Sequence, residues 1–185
     1  MDENFLIGQA VRGNTQAFRL LVLRYQHPLF KFLNGFGLPP GRVEEIAQET
    51  LLKAHQNLSS YRAEKGARFM TWLFVIAKRL ALNELARSEH QHQSVEIDQA
   101  LTVASESATP QESLEKAQQQ QQVLTALQQI DEPFRSALIL SYIEELKLTE
   151  IAEIEQCSIG TVKSRIFRGK QLLAKRLTQT IGTEP

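Results

Sequence analysis

The sequence predicts an all-α chain of two small helical domains joined by a flexible linker, with a helix-turn-helix in the C-terminal domain. Three observations predict it. Apolar residues recur at helical spacing through most of the chain. Residues 89–113, EHQHQSVEIDQALTVASESATPQES, break that pattern with a polar run rich in Gln, Ser and Thr, carrying five acids and no Lys or Arg. Leu148 to Lys175 reads as two helices broken by the tight corner Gln156-Cys157-Ser158.

The 185 residues allow one or two small domains, and zero formal net charge with 42% apolar residues fits a soluble globular chain. No apolar run approaches the ~18 residues of a membrane span. The acidic start MDENFLIGQA is unlike a secretory signal, so the chain is expected in the cytoplasm, without membrane insertion. The lone cysteine, Cys157, leaves no internal disulfide framework and suits a small filler at the corner.

In residues 4–34, Phe5, Leu6, Ala10, Phe18, Leu21, Val22, Tyr25, Leu29, Phe30 and Leu33 suit two helices broken near Gly13-Asn14, with Asn14 capping the second. Pro28 should kink or divide that second helix. A loop follows from Gly35 to Gly41. Val43 to Leu58 is a strong helix, with Glu44 and Glu45 in its first turn. Its apolar side is Val43, Ile46, Ala47, Thr50, Leu51 and Ala54. Gln48, Glu49, Leu52 and Lys53 lie partly off that stripe and suit a partner.

Gly66 punctuates the next segment, and a helix should run from about Phe69 to Arg87. Phe69, Trp72 and Phe74 are interleaved with Arg62, Lys65, Arg68, Lys78, Arg79 and Arg87. Cations beside aromatic faces suit single-stranded DNA, holding phosphates while rings stack on unpaired bases. Asn83 lies one turn after Arg79 and points the same way. Trp72 is equally suited to a place in the core.

The linker 89–113 would stretch to roughly 80 Å fully extended, or span about 25–30 Å as a free coil. His90 and His92 lack the further ligands a metal site needs. Helix resumes from Leu114 to Leu127, and Glu132-Pro133 starts the helix carrying Phe134, Ala137, Leu138, Leu140 and Ile143. In the first helix of the helix-turn-helix, Leu148, Ile151 and Ala152 form one apolar side, with Ile154 near its edge. Ser158 is a good N-cap for the second, which buries Ile159, Val162, Ile166 and Leu173. From Asp131 to Glu155 there are seven acids against Arg135 and Lys147; from Lys163 to Arg176 there are six bases and no acid. Positive charge is thus concentrated on one helix, where phosphate neutralisation needs it. The plainer alternative is a solvated basic face.

No Gly-rich phosphate loop, nucleophile elbow or metal-ligand cluster stands out, so neither catalytic residues nor a metal or cofactor are expected. The pairs Glu44/Glu45 and Glu144/Glu145 are adjacent and on a helix do not face one another.

Glu150-Ile151-Ala152 followed by Gly160-Thr161-Val162-Lys163-Ser164-Arg165 resembles region 4 of bacterial sigma-70 factors of the extracytoplasmic-function type. EEIAQETLLKAH resembles region 2.2, with Gln48-Glu49 matching its QE pair and Leu51 in place of a usual Phe. Phe69, Trp72, Leu73, Ile76 and Ala77 match the core of regions 2.3 and 2.4. The departures are Glu155-Gln156 for Leu-Gly, Gly169 for Ala, and Arg79 where Asn is common. Losing the corner glycine strains the turn if that position needs φ > 0, and a mid-helix Gly costs roughly 1 kcal/mol relative to Ala.

The resemblance implies a sigma factor with residues 1–88 as a region 2-like domain, 89–113 as acidic linker and 114–185 as a region 4-like domain. It implies that Glu45, Gln48, Glu49 and Leu52 bind core RNA polymerase at the clamp coiled coil, with a further contact to the flap. Arg68, Phe69, Trp72, Lys78, Arg79 and Asn83 would melt and read the −10 element of promoter DNA. Ser158, Gly160, Thr161, Lys163, Ser164, Arg165, Phe167 and Arg168 would hold the −35 element. It also implies a stress or envelope response under an anti-sigma factor. Two alternatives from other classes remain: a repressor-like or response-regulator-like protein reading an operator, and an interaction protein whose basic helix binds an acidic partner.

Overall fold

Asn14 sets the first turn of the chain. Its side chain accepts the backbone amides of Gln16 and Ala17 at 3.0 and 3.1 Å, ending the approach of α1 (Glu3–Val11) and starting α2 (Thr15–Asn34). The computed structural model describes residues 2–39, 41–61, 68–91 and 121–181. The Tyr25 hydroxyl donates to Glu3 and ties α1 back onto α2.

Of the two outcomes expected of Pro28, division of α2 does not occur. Tyr25 before it and Leu29, Phe32 and Leu33 after it are all buried, so core packing on both sides holds the helix together despite the missing amide. Gly37 and Gly41, both at positive φ, turn the chain into α3 (Arg42–Gln56), which a 3-10 turn, Leu58–Ser60, follows. Ile46, Ala47, Thr50 and Ala54 are buried, as the helical spacing requires. α4 (Phe69–Gln91) packs against α3. Arg42 clamps the two by donating to both carboxylate oxygens of Glu84 at 2.8 and 2.7 Å, which holds the Glu84 carboxyl below its usual pKa.

Residues 121–128 form helix α5, and α6 (Glu132–Leu138) begins with proline in its first turn. Beyond Leu138 the helix widens into a π turn, Ile139–Ile143, closed by the Glu144 amide on the Ile139 carbonyl at 3.0 Å. Both Ile139 and Leu140 are thereby buried. Then come α7 (Leu148–Ile154) and α8 (Ile159–Ile181). Ile154, expected near an edge, is in the core, whereas Ile159, expected in it, is 42% exposed in the first turn of α8. Gly169 lets α6 and α8 cross closely: a Cβ there would lie 3.0 Å from Leu138 side-chain atoms and 3.2 Å from the Phe134 carbonyl. Its intrinsic helix cost is the condition of that crossing.

The two groups of helices share one apolar cluster. It runs from Phe32, Ile46 and Phe74 through Ile139, Leu140 and Ile151 to Val162, with the Phe32 and Phe74 rings stacked at 4.5 Å. The linker beyond residue 91, His92, Arg62, Lys65 and Gly66 lie outside the described residues, as does the side chain of His90.

Candidate polymerase and promoter interfaces

α3 presents one solvent face made of Glu45, Gln48, Glu49 and Leu52, all exposed. Leu52 is the telling member, a large apolar side chain left 56% exposed. Its neighbours are lightly engaged: Glu45 pairs with Arg42, and Glu49 with Lys53 at 3.5 Å. An exposed face with an apolar residue among acidic and amide neighbours suits a protein partner.

Between the end of α3 and the middle of α4 lies a groove of about 520 Å³. Trp72, Arg79 and Asn83 line it from α4; Lys53, Gln56 and Asn57 line it opposite. A ring, a guanidinium and several amides around a space of that size can stack and hydrogen-bond an unstacked base. The sequence reading missed Lys53, Gln56 and Asn57 as a wall of this groove. Their spacing of three and one places them on one side of α3's last turn, and that periodicity is the signal that finds them.

The other residues expected at the −10 element do not join the groove. Phe69 is buried, its ring packed on Tyr25, Tyr61 and Trp72. Lys78 is also buried, and pairs with Glu155 at 2.6 Å and Glu132 at 3.1 Å. Arg68 is exposed at the helix start, 3.6 Å from Glu150.

On α8, Ser158 accepts the Thr161 amide at 3.1 Å, which makes it the cap expected. Gly160, Lys163, Ser164, Phe167 and Arg168 lie exposed beyond it, with Phe167 63% exposed. Thr161 is half-buried on the same side. Arg165 turns away, donating to Glu155 at 2.7 Å. Lys170 lies 5.4 Å from the centre of the Tyr142 ring, close enough for a cation–π contact. Gln156, in the corner, has φ +50°, so the strain expected from the absent glycine is present. Among the described residues no cluster of His, Cys, Asp and Glu is arranged to hold a metal ion.

Residues 21–91 match Sigma-70 region 2, and residues 120–173 match Sigma-70, region 4. The RNA polymerase sigma-H factor of Pseudomonas aeruginosa is 31% identical over 179 residues, 93% of this chain and 92% of the relative. This chain belongs to the sigma-70 family of RNA polymerase sigma factors, in its extracytoplasmic-function group. The ECF RNA polymerase sigma-E factor of Escherichia coli K12 is 29% identical over 188 residues, 98% of this chain and 97% of that one. The fold is shared with CnrH, solved with the cytosolic domain of CnrY (TM-score 0.70, 23% identity, 96% of this chain and 97% of that one). It is also shared with RpoE from Bartonella quintana, solved with the anti-sigma factor NepR (TM-score 0.71, 24% identity, 87% and 96%). A sigma factor binds core polymerase and directs initiation at promoters; it is not an enzyme. No described helix is long and apolar enough to cross a membrane.

Proposed function

We propose that this sigma factor docks on the polymerase clamp through Glu45, Gln48, Glu49 and Leu52. It takes the −10 strand into the α3–α4 groove at Trp72, Arg79 and Asn83, and holds the −35 element along the exposed side of α8. The observation that carries this is the groove, which brings an aromatic ring, a cation and amide groups together on region 2 beside a separate polymerase face. Residues 1–88 and 114–185 act as the two promoter-binding domains and 89–113 as the connection between them. The protein works in the cytoplasm, where core polymerase is met. The sigma factors of similar fold solved with CnrY and NepR support an anti-sigma partner here as well, and a stress or envelope response fits such control.

Run-off transcription with core polymerase and genomic DNA tests the proposal, because a repressor-like protein yields no transcripts and no core binding. Glu49→Lys should weaken co-elution with core polymerase while helicity stays normal, since the exposed pair it breaks contributes about 0–1 kcal/mol. Unchanged core affinity would remove α3 from the docking surface. Arg168→Ala should relax base preference at one −35 position, a loss of about 1–3 kcal/mol of discrimination.

A further inference from the structure

The two walls of the α3–α4 groove differ in what they offer a hydrogen-bonding partner. On the α3 side, the Asn57 amide nitrogen donates to the Lys53 backbone carbonyl at 2.8 Å. Only the NH2 end of an amide can meet a carbonyl, so this bond fixes the side chain's orientation and turns its oxygen away from the helix. The Ser60 hydroxyl gives its single proton to the Asn57 backbone carbonyl at 2.7 Å, which leaves that oxygen able only to accept. Both residues line the groove, and Lys53 beside them turns its ammonium to Glu49 at 3.5 Å. Across the groove on α4, Arg79 is exposed, with a guanidinium that can only donate. Acceptors therefore stand on one wall and a donor fork on the other.

We infer that this groove selects an unpaired guanine, with Asn57 and Ser60 accepting from its Watson–Crick edge and Arg79 donating to the opposite edge. The inference rests on the assignment of the groove to the −10 strand. Guanine carries adjacent donors, N1–H and N2–H2, on one side and adjacent acceptors, O6 and N7, on the other. No other base sorts its groups that way. In adenine the one amino group lies between the acceptors N1 and N7. In thymine N3–H lies between two carbonyls. Cytosine has its amino group beside N3 and O2 on a single edge, with no acceptor on the opposite one.

The rest of the lining agrees with a base in this orientation. Val75, Ile76 and Leu80, all half-buried, join Trp72 as the apolar part of the groove, and a flat ring is covered by such surface whatever its edges carry. Gln56 and Asn83 also line it and can donate or accept, so they do not decide between bases. The decision falls to the three side chains with a fixed sense. Arginine meets O6 and N7 through two parallel N–H groups, a geometry that lysine cannot supply.

The test uses the full chain assembled with core polymerase, and labelled thymidine oligonucleotides carrying one guanine, adenine or cytosine. Anisotropy should show the guanine strand bound at least about fivefold tighter than the others. Base analogues then separate the walls. Inosine, which lacks the 2-amino group, should bind the native protein more weakly than guanine, and the difference should vanish in Ser60→Ala combined with Asn57→Leu. Ser60→Ala alone, which should narrow the difference, serves where Asn57→Leu loosens the end of α3. Deazaguanine lacking N7 should likewise lose to guanine in the native protein but not in Arg79→Lys, which keeps the charge and hence the salt slope. A guanine preference that survives in every variant would place its source outside the groove and overturn the inference. Equal affinity for all the bases, weakened alike by Lys53→Ala and Arg79→Ala, would also overturn it while leaving the strand in the groove. Affinity that neither of those two substitutions moves would take the strand out of the groove, and guanine selection with it.

Discussion

The Ser158 hydroxyl accepts the Thr161 amide at 3.1 Å and lies 2.9 Å from the Thr161 hydroxyl, so one residue both starts α8 and orients the first side chain of the face proposed for the −35 element. Ser158→Ala should lower stability by about 1 kcal/mol, or roughly 2–4 °C in melting temperature. Ser158→Asp separates the two roles. Aspartate caps as well as serine and should restore the melting temperature, but on the proposed −35 face its charge would repel promoter phosphate and should weaken −35 binding. A melting curve and a binding isotherm on each variant decide it.

Gln156 carries the opposite kind of local energy. At φ +50° a non-glycine residue costs roughly 1–2 kcal/mol. Gln156→Gly should raise stability by about 1 kcal/mol in denaturant unfolding once the added flexibility of the unfolded chain is set against it. A loss of stability would mean that the glutamine side chain stabilises the corner.

Arg79 and Asn83 face the same groove, and their roles separate by salt. Arginine offers only donors and a full charge, which suits a guanine edge or a phosphate. If Arg79 reads a base, Arg79→Asn changes which −10 sequences are transcribed. If it holds the strand by charge, the substitution lowers open-complex formation on every promoter and flattens the salt dependence. Unaltered promoter choice, salt slope and permanganate-detected melting would leave Arg79 as surface.

Glu144 gives a pH dependence of stability. Burial raises its pKa from the ordinary 4.5 to about 7, with Lys31 pulling weakly the other way. The folded state therefore keeps a proton that the unfolded state has lost between those values. Stability falls as pH rises through this window, and the penalty is complete above about 7. Glu144→Gln should leave the melting temperature at pH 4 nearly unchanged and raise it at pH 8. After allowance for solvent screening of a partly buried group, the gain is roughly 1 kcal/mol, or about 2–4 °C.

What could be read in the sequence was local. Asn14 and Ser158 announce their caps because a cap depends only on the next three residues. The buried side of α3 follows from spacing alone. The α8 residues open to solvent were legible in the same way, as was the solvent face of α3. What could not be read was set by tertiary contact. Glu155 reads as a departure from Leu, but its partner Lys78 is a residue of a distant helix, and no local pattern joins them. Phe69 looks like a stacking ring until Tyr25 and Tyr61 close over it. Pro28 reads as a break because local chemistry says so, and only the buried residues on both sides of it overrule that. Gly169 reads as a cost until Leu138 is seen against it.

The apolar cluster that passes from Phe74 to Ile151 and Val162 also bears on how the molecule comes apart with heat. Ile139, Ile151 and Val162 lose part of their surroundings as soon as α2 and α4 melt, so neither half retains its own complete interior. Unfolding of the two groups of helices is therefore coupled, and calorimetry should meet one endotherm rather than two. A ligand gripping α3 alone raises the temperature at which the helix-turn-helix is lost.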